Sequence, residues 1–404
     1  AVIEGPLQQQ LGVTAGDIGL SMSFYYYAYG PMQIAVGVLL DKLGARGPLS
    51  IAALVCAIGA LTFAAGSSLF GLGAGRFLMG FGSAFAYVGT VYVATIWFPG
   101  RRVAMISGLT VTLGMLGAIT AESMLEFLLE RQSWQSIVYG FAAAGVVLAI
   151  LLMIMVPNRP QWFKEHMHAS AGQAGHPGAR ACLKQVLCNR QTLLLGLITG
   201  LVYLPVGTFA ALWGFRYLNT VLHIEQGQSG LYVSIIFMGL AGGGPLLGWL
   251  SDWSGRRRLF LIIGTLVGIV STSTLLLIPP GHVVLLMINL AVIGLVVSIL
   301  VIAFPMAMEQ NPCFARGTAL TFVNLTQMVF AGIGQWVVGM LLDNATTAGS
   351  QGHTGELSPG QFKEAFLLLP VCMLAAFILS LLVRETKVVH GSEVAESAEK
   401  ALAS

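Results

Sequence analysis

The chain has 404 residues, of which 56% are apolar and 9% charged, with a net charge of +3. An ordinary soluble domain carries about a quarter of its residues charged. This composition therefore excludes a soluble globule and calls for a chain that crosses a membrane many times.

Residues 1–13 read as a helix end and a polar loop. Thr14 followed by Asp17 makes a capping-box-like start, and the helix it opens runs to about residue 40 with Tyr25, Tyr26, Tyr27, Tyr29 and Gln33 on it. Apolar spans follow at about 47–65 and 70–97. After a basic turn at Arg101 and Arg102 a span runs to about 128, and another covers 134–156. Residues 157–190 break the pattern with Pro, His, Gly and charge, and read as a cytoplasmic linker with one surface helix near 183–187. His166 and His168 fall in it and read as solvated. Six spans follow, at about 192–217, 227–250, 259–278, 283–306, 318–342 and 362–383. A polar external loop is expected at 349–360, and a charged, Ala- and Ser-rich, disordered cytoplasmic tail over 385–404. The five cysteines (Cys56, Cys182, Cys188, Cys313, Cys372) are scattered without metal spacing and read as packing residues or free thiols.

One stretch is used twice. Gly37-Val38-Leu39-Leu40-Asp41-Lys42-Leu43-Gly44-Ala45-Arg46 returns as Gly248-Trp249-Leu250-Ser251-Asp252-Trp253-Ser254-Gly255-Arg256-Arg257, 211 positions later (248 minus 37). The first glycine lets a neighbouring helix come close. The Asp can accept hydrogen bonds from the N-terminus of a facing helix, where the macrodipole favours an anion. The second glycine permits a sharp reversal, and the basic residues sit in water on the cytoplasmic side. With these loops inside, sixteen of the twenty Lys and Arg are cytoplasmic, leaving Arg76, Arg131, Arg216 and Lys363. A short basic turn between two spans is the plainer reading of either copy alone.

The repeated G-x-L-x-D-x-x-G-x-R resembles the signature loop of the major facilitator superfamily of transporters. Arg102-Val103-Ala104, echoed by Arg316-Gly317-Thr318-Ala319, adds to the likeness. The resemblance implies an all-α polytopic fold of two pseudo-symmetric six-helix bundles, N-terminal over 1–156 and C-terminal over 191–384, rocking about a midplane site. It places a first family helix upstream, so a chain of about eleven spans is expected to lack most of that helix; eleven helices by nature is the alternative. Gly37, Asp41, Gly44, Arg46, Gly248, Asp252, Gly255 and Arg256 would be conformational latches.

Polar residues within spans are costly and mark candidate sites. Arg76 heads Arg76-Phe77-Leu78-Met79-Gly80-Phe81-Gly82, which resembles the family's fourth-helix R-x-x-x-G-x-G, with Met79 where Gln is common. Arg76, Gly80, Ser83 and Tyr87 share a helical face. That face could bind a carboxylate or serve a proton site; an arginine snorkelling to the outer interface is the alternative. Tyr29 and Gln33, one turn apart, could face a cavity, as could Tyr203 beside Pro205, Asn289, and the Thr321, Asn324, Gln327 and Gln335 side of the eleventh family helix. Each alone reads equally as packing or a helix–helix hydrogen bond. Glu122 and Glu126 are proton-coupling candidates, with interfacial solvation as the alternative.

Gly108, Gly114 and Gly117 occur without the proline typical of the drug exporters' fifth helix, which favours uptake or exchange. The 316–343 run and Trp97-Phe98-Pro99-Gly100 are similar to bacterial organic-anion carriers, and to dipeptide carriers that have an acidic residue where Ala84 stands. The expectation is a transporter of a small polar solute (organic anion, amino acid or peptide-like), working as a monomer in the lipid bilayer with protons as a candidate co-substrate. Neither enzyme, cofactor, metal nor nucleic acid is expected. An exporter of amphipathic compounds, or a receptor or scaffold on a carrier fold, is the alternative. Short termini favour a bacterial inner membrane, while Asn344-Ala345-Thr346, a sequon, keeps a eukaryotic one open.

Overall fold

A computed structural model describes residues 7, 11–97, 100–129, 131–156, 179–312, 315–347 and 358–385. Most of the expected linker, the external loop, Cys313, both linker histidines and the tail lie outside them.

Every regular element in the described residues is helical, as a chain in lipid requires when each backbone N–H must be satisfied within its own segment. Five helices form the first half: α1 Ala15–Leu43, α2 Arg46–Ala65, α3 Leu69–Trp97, α4 Gly100–Leu129 and α5 Trp134–Met155. A short surface helix, α6 Ala179–Cys188, docks by Cys182 and Val186. The second half holds α7 Arg190–Leu222, α8 Gln226–Ser254, α9 Arg257–Leu277, α10 Val283–Glu309, α11 Arg316–Thr347 and α12 Pro359–Ser380. Among the described residues nine of these are long and apolar enough to cross a membrane; α1 and α4 stand where the other two spans were expected and are as long.

The boundaries have local causes. Thr14 and Asp17 form the capping box at the start of α1: Thr14 Oγ1 accepts from the Asp17 amide, and Asp17 Oδ2 from the Thr14 amide, both at 3.2 Å. At the other end Gly44 reverses the chain with φ of 83°, and its counterpart Gly255 ends α8 with φ of 62°. Only glycine takes such angles without steric cost. The expected single helix at 192–217 is longer and interrupted: Pro205, which has no amide to donate, opens a π-helical stretch, Pro205–Trp213, before α-helix resumes. The α10 helix is broken at Ser298, whose hydroxyl donates to the Leu240 carbonyl of α8 (3.0 Å).

Within the first bundle α1 packs on α3, and α2 on α3 and α5. Within the second, α7 packs on α11 and α12, α8 on α10, and α9 on α12. Two seams join the bundles: α1 against α11, and α4 against α8. The α1–α11 seam is antiparallel and tight at its outer end. A methyl group added at Gly339 would lie 2.5 Å from the Ala15 carbonyl oxygen and 2.8 Å from Gly16 Cα.

Candidate translocation site

One cluster of polar groups inside the membrane is built on α1, with α3 and α2 to one side and α11 to the other. Arg76 lies seven residues into α3, about 10 Å along the axis at 1.5 Å per residue. Its guanidinium turns toward α1 and sits over the Tyr25 ring, 4.9 Å from the centroid, and its Nε is buried without a hydrogen-bond partner. The approach is possible because Gly80, one turn on, lets α3 touch the Tyr25 backbone directly.

Around that cation stands a wall of tyrosines. Tyr25 stacks on Tyr29 (centroids 5.8 Å apart) and meets Tyr26 edge-on at 5.3 Å. Ser83, two turns along α3 from Arg76, donates its hydroxyl to the Met79 carbonyl at 2.7 Å. Tyr203 of α7 is half-buried and packs beside Gly207, one turn on. One turn below Tyr29, Gln33 accepts a hydrogen bond from Asn324 Nδ2 of α11, which ties the bundles by side chains. Gln327, buried one turn further along α11, has an Nε2 without a partner.

The structure thus places Tyr29, Gln33, Arg76 and Asn324 of the sequence-derived candidates on one stretch of α1 and its neighbours α3 and α11. Tyr87 is exposed at the far end of the Arg76 face, within reach of Tyr29. Asn289 is elsewhere: its amide donates to the Ser271 carbonyl at 3.0 Å, a tie between α10 and α9 inside the second bundle. Gln335 is also a tie, accepting the Trp213 indole on its carbonyl (3.1 Å) and donating to the Gly207 carbonyl (2.8 Å). The side chains of Glu122, Glu126, Asp41 and Asp252, and the Gly37 environment, lie outside those described, although all five fall within helices α1, α4 and α8. Among the other loop residues, Gly248 lies within α8, Arg46 Nε donates to the Met153 carbonyl, joining α2 to α5, and Arg256 is exposed at the start of α9.

Two members of the cluster were not singled out from sequence. Cys56 of α2 donates to the Met79 carbonyl (3.4 Å) and lies 3.6 Å from the Ser83 hydroxyl, on the face of α3 that also carries Arg76. Tyr25 carries the Arg76 contact. The signal for Tyr25 was its separation of four from Tyr29, which puts both on one helical face; nothing in the sequence signalled Cys56.

Arg76 thus carries a half-buried guanidinium, lying over an aromatic face, into a membrane-spanning helix. The sequence model of the Major Facilitator Superfamily matches residues 1–334 and 195–404. The chain belongs to that superfamily. A probable L-galactonate transporter of Escherichia coli is 24% identical over 260 residues, covering 61% of this chain and 56% of that protein. A phosphoglycerate transporter protein of Salmonella typhimurium is 25% identical over 374 residues, covering 83% and 77%. The fold is that of the nucleoside transporter NupG, with a TM-score of 0.75 over 94% of each chain at 14% identity. The chain is therefore a multi-pass membrane transporter of small polar solutes. Its bacterial relatives give it the inner membrane as its place.

Proposed function

We propose that the carrier takes up a small organic anion, a hydroxycarboxylate being the best fit, by rocking residues 1–156 against 191–384 as a monomer. The observation that carries this reading is Arg76, whose buried Nε has no partner and whose guanidinium lies over the Tyr25 ring of α1. Holding an ion out of water costs several kcal/mol, and a carboxylate that binds as a forked pair with guanidinium offsets that cost. The Gln33–Asn324 pair, with Tyr29 one turn away on α1, supplies donors and acceptors for the hydroxyls of such a substrate. Galactonate and phosphoglycerate, named for two relatives, are both hydroxylated carboxylates, which supports the same choice. Glu122 and Glu126 on α4 are the carboxylates we assign to proton coupling.

The test is uptake of labelled galactonate, 3-phosphoglycerate and a neutral polyol into proteoliposomes, with and without an inward proton gradient. The anions should be transported and the polyol not. Arg76→Lys keeps the charge but loses the planar fork, and should cut uptake by about tenfold or more, as loss of a charge-assisted hydrogen bond does. Wild-type uptake by correctly inserted Arg76→Ala would refute the anion site. A gradient effect abolished by Glu122→Gln or Glu126→Gln would support the coupling assignment, and gradient-independent uptake would remove it.

A further inference from the structure

The helices of the α1–α11 seam end alike. Near its cytoplasmic end α1 reads Gly37-Val38-Leu39-Leu40-Asp41, and near its outer end α11 reads Gly339-Met340-Leu341-Leu342-Asp343. The second copy is fully described. Asp343 reaches from the second bundle to the first turn of α1, where Oδ1 accepts from the Ala15 amide at 2.8 Å and Oδ2 from the Gly16 amide at 2.6 Å. Gly339, one turn earlier, lets the Ala15 and Gly16 backbone approach close enough for that grip. Ala15 and Ile18 are fully buried there.

A helix N-terminus leaves its first amides without intrahelical partners. Here the Asp17 amide is held by Thr14, inside the same bundle, whereas those of residues 15 and 16 are held from across the seam. The carboxylate also sits at the positive end of the α1 dipole. Opening the outer side of the carrier must break both bonds and return the amides and the carboxylate to water.

We infer that Asp343 and the N-terminus of α1 form an external latch, which closes the outer gate and favours the inward-open state. The antiparallel register sets it opposite the cytoplasmic loop: Gly30 meets Leu325 and Gln33 meets Asn324, so Asp41 falls level with the start of α11. One seam thus sets an aspartate level with a helix N-terminus at each end, and on this reading the two ends bias the equilibrium in opposite directions. The inference rests on the alternating-access reading proposed above.

The test uses the full chain in lipid nanodiscs, with native cysteines replaced and spin labels at Ser67→Cys and His282→Cys, exposed outer positions on opposite bundles. Pulsed electron spin resonance then gives the outer-gate distance distribution. Asp343→Asn keeps the shape but removes the charge, and should raise the long-distance population relative to the short by about 5- to 150-fold, the span of ordinary coupling between states. Adding Asp41→Asn should bring the distribution back toward wild type. If Asp343→Asn does not fold, hydrogen exchange in the wild-type chain decides: amides 15 and 16 should exchange faster under every condition that lengthens the outer distance. A distribution that moves with ligand yet ignores Asp343→Asn, or amides indifferent to gate opening, would overturn the latch. An outer distance that never changes would instead overturn alternating access itself.

Discussion

Substituting Gly339 by alanine tests the outer seam with one methyl group. The new Cβ would stand 2.5 Å from the Ala15 carbonyl oxygen, 2.8 Å from Gly16 Cα and 2.9 Å from the Ala15 carbonyl carbon. All three are backbone atoms, so no rotamer change relieves the clash. A relaxed carbon–oxygen contact is about 3.3 Å or more, so α1 and α11 must part by roughly 0.8 Å. A gap of that size forfeits about a quarter to a half of each dispersion well along the contact, and overpacking of this kind costs about 1–3 kcal/mol. The same displacement stretches the Asp343 bonds from 2.6 and 2.8 Å to beyond good hydrogen-bonding distance. The helix-propensity gain of alanine over glycine, about 1 kcal/mol, is common to both states and cancels from their ratio. The penalty falls only where the seam is closed, so the outward-open population should rise by about 5- to 150-fold. Electron spin resonance across the outer gate reads that shift directly, alongside a normal thermal unfolding midpoint in detergent. An unchanged distance distribution in a well-folded variant would refute the idea that backbone contact at Gly339 holds the gate.

Two further predictions concern other ties. The Arg257–Glu309 pair joins the starts and ends of α9 and α10 at 2.5 Å, with Arg257 buried and Glu309 about one-third exposed. Glu309→Gln should lower stability by about 1–3 kcal/mol, discounted from the buried-pair value for that exposure; an unmoved unfolding midpoint would show that the pair contributes nothing. The Gln33–Asn324 contact crosses between bundles, so a double-mutant cycle of Gln33→Ala and Asn324→Ala should show a coupling of about 0.6–1.7 kcal/mol in uptake KM. Strictly additive effects would detach that contact from substrate handling.

What the sequence made legible was local or repeated. The Thr14–Asp17 capping box, the left-handed glycines 44 and 255 and the positions of the spans follow from residue types a few positions apart. Arg76 stood out because charge within a span is expensive. The π-helical stretch was not legible beyond the hint of Pro205, because its geometry is held by Gln335 on another helix. The placement of Asn289 toward α9 rather than Tyr203 depends on the rotation of α10, which a nearly uniform apolar helix does not encode. Asp343 sat in a quoted motif with no role, since its partners lie 328 and 327 positions away.

The double grip of Gln335 has a mechanical consequence. Its carbonyl holds the Trp213 indole and its amide holds the Gly207 carbonyl, so one residue of α11 clamps both ends of the π-helical stretch of α7. The two helices are splinted there and turn as a single lever. On the proposed alternating-access reading, α7 would follow α11 as α11 parts from α1. Opening the proposed outer latch would then also carry the α7 side of the molecule away, so that a solute bound as proposed beside Arg76 would be uncovered by one movement rather than two.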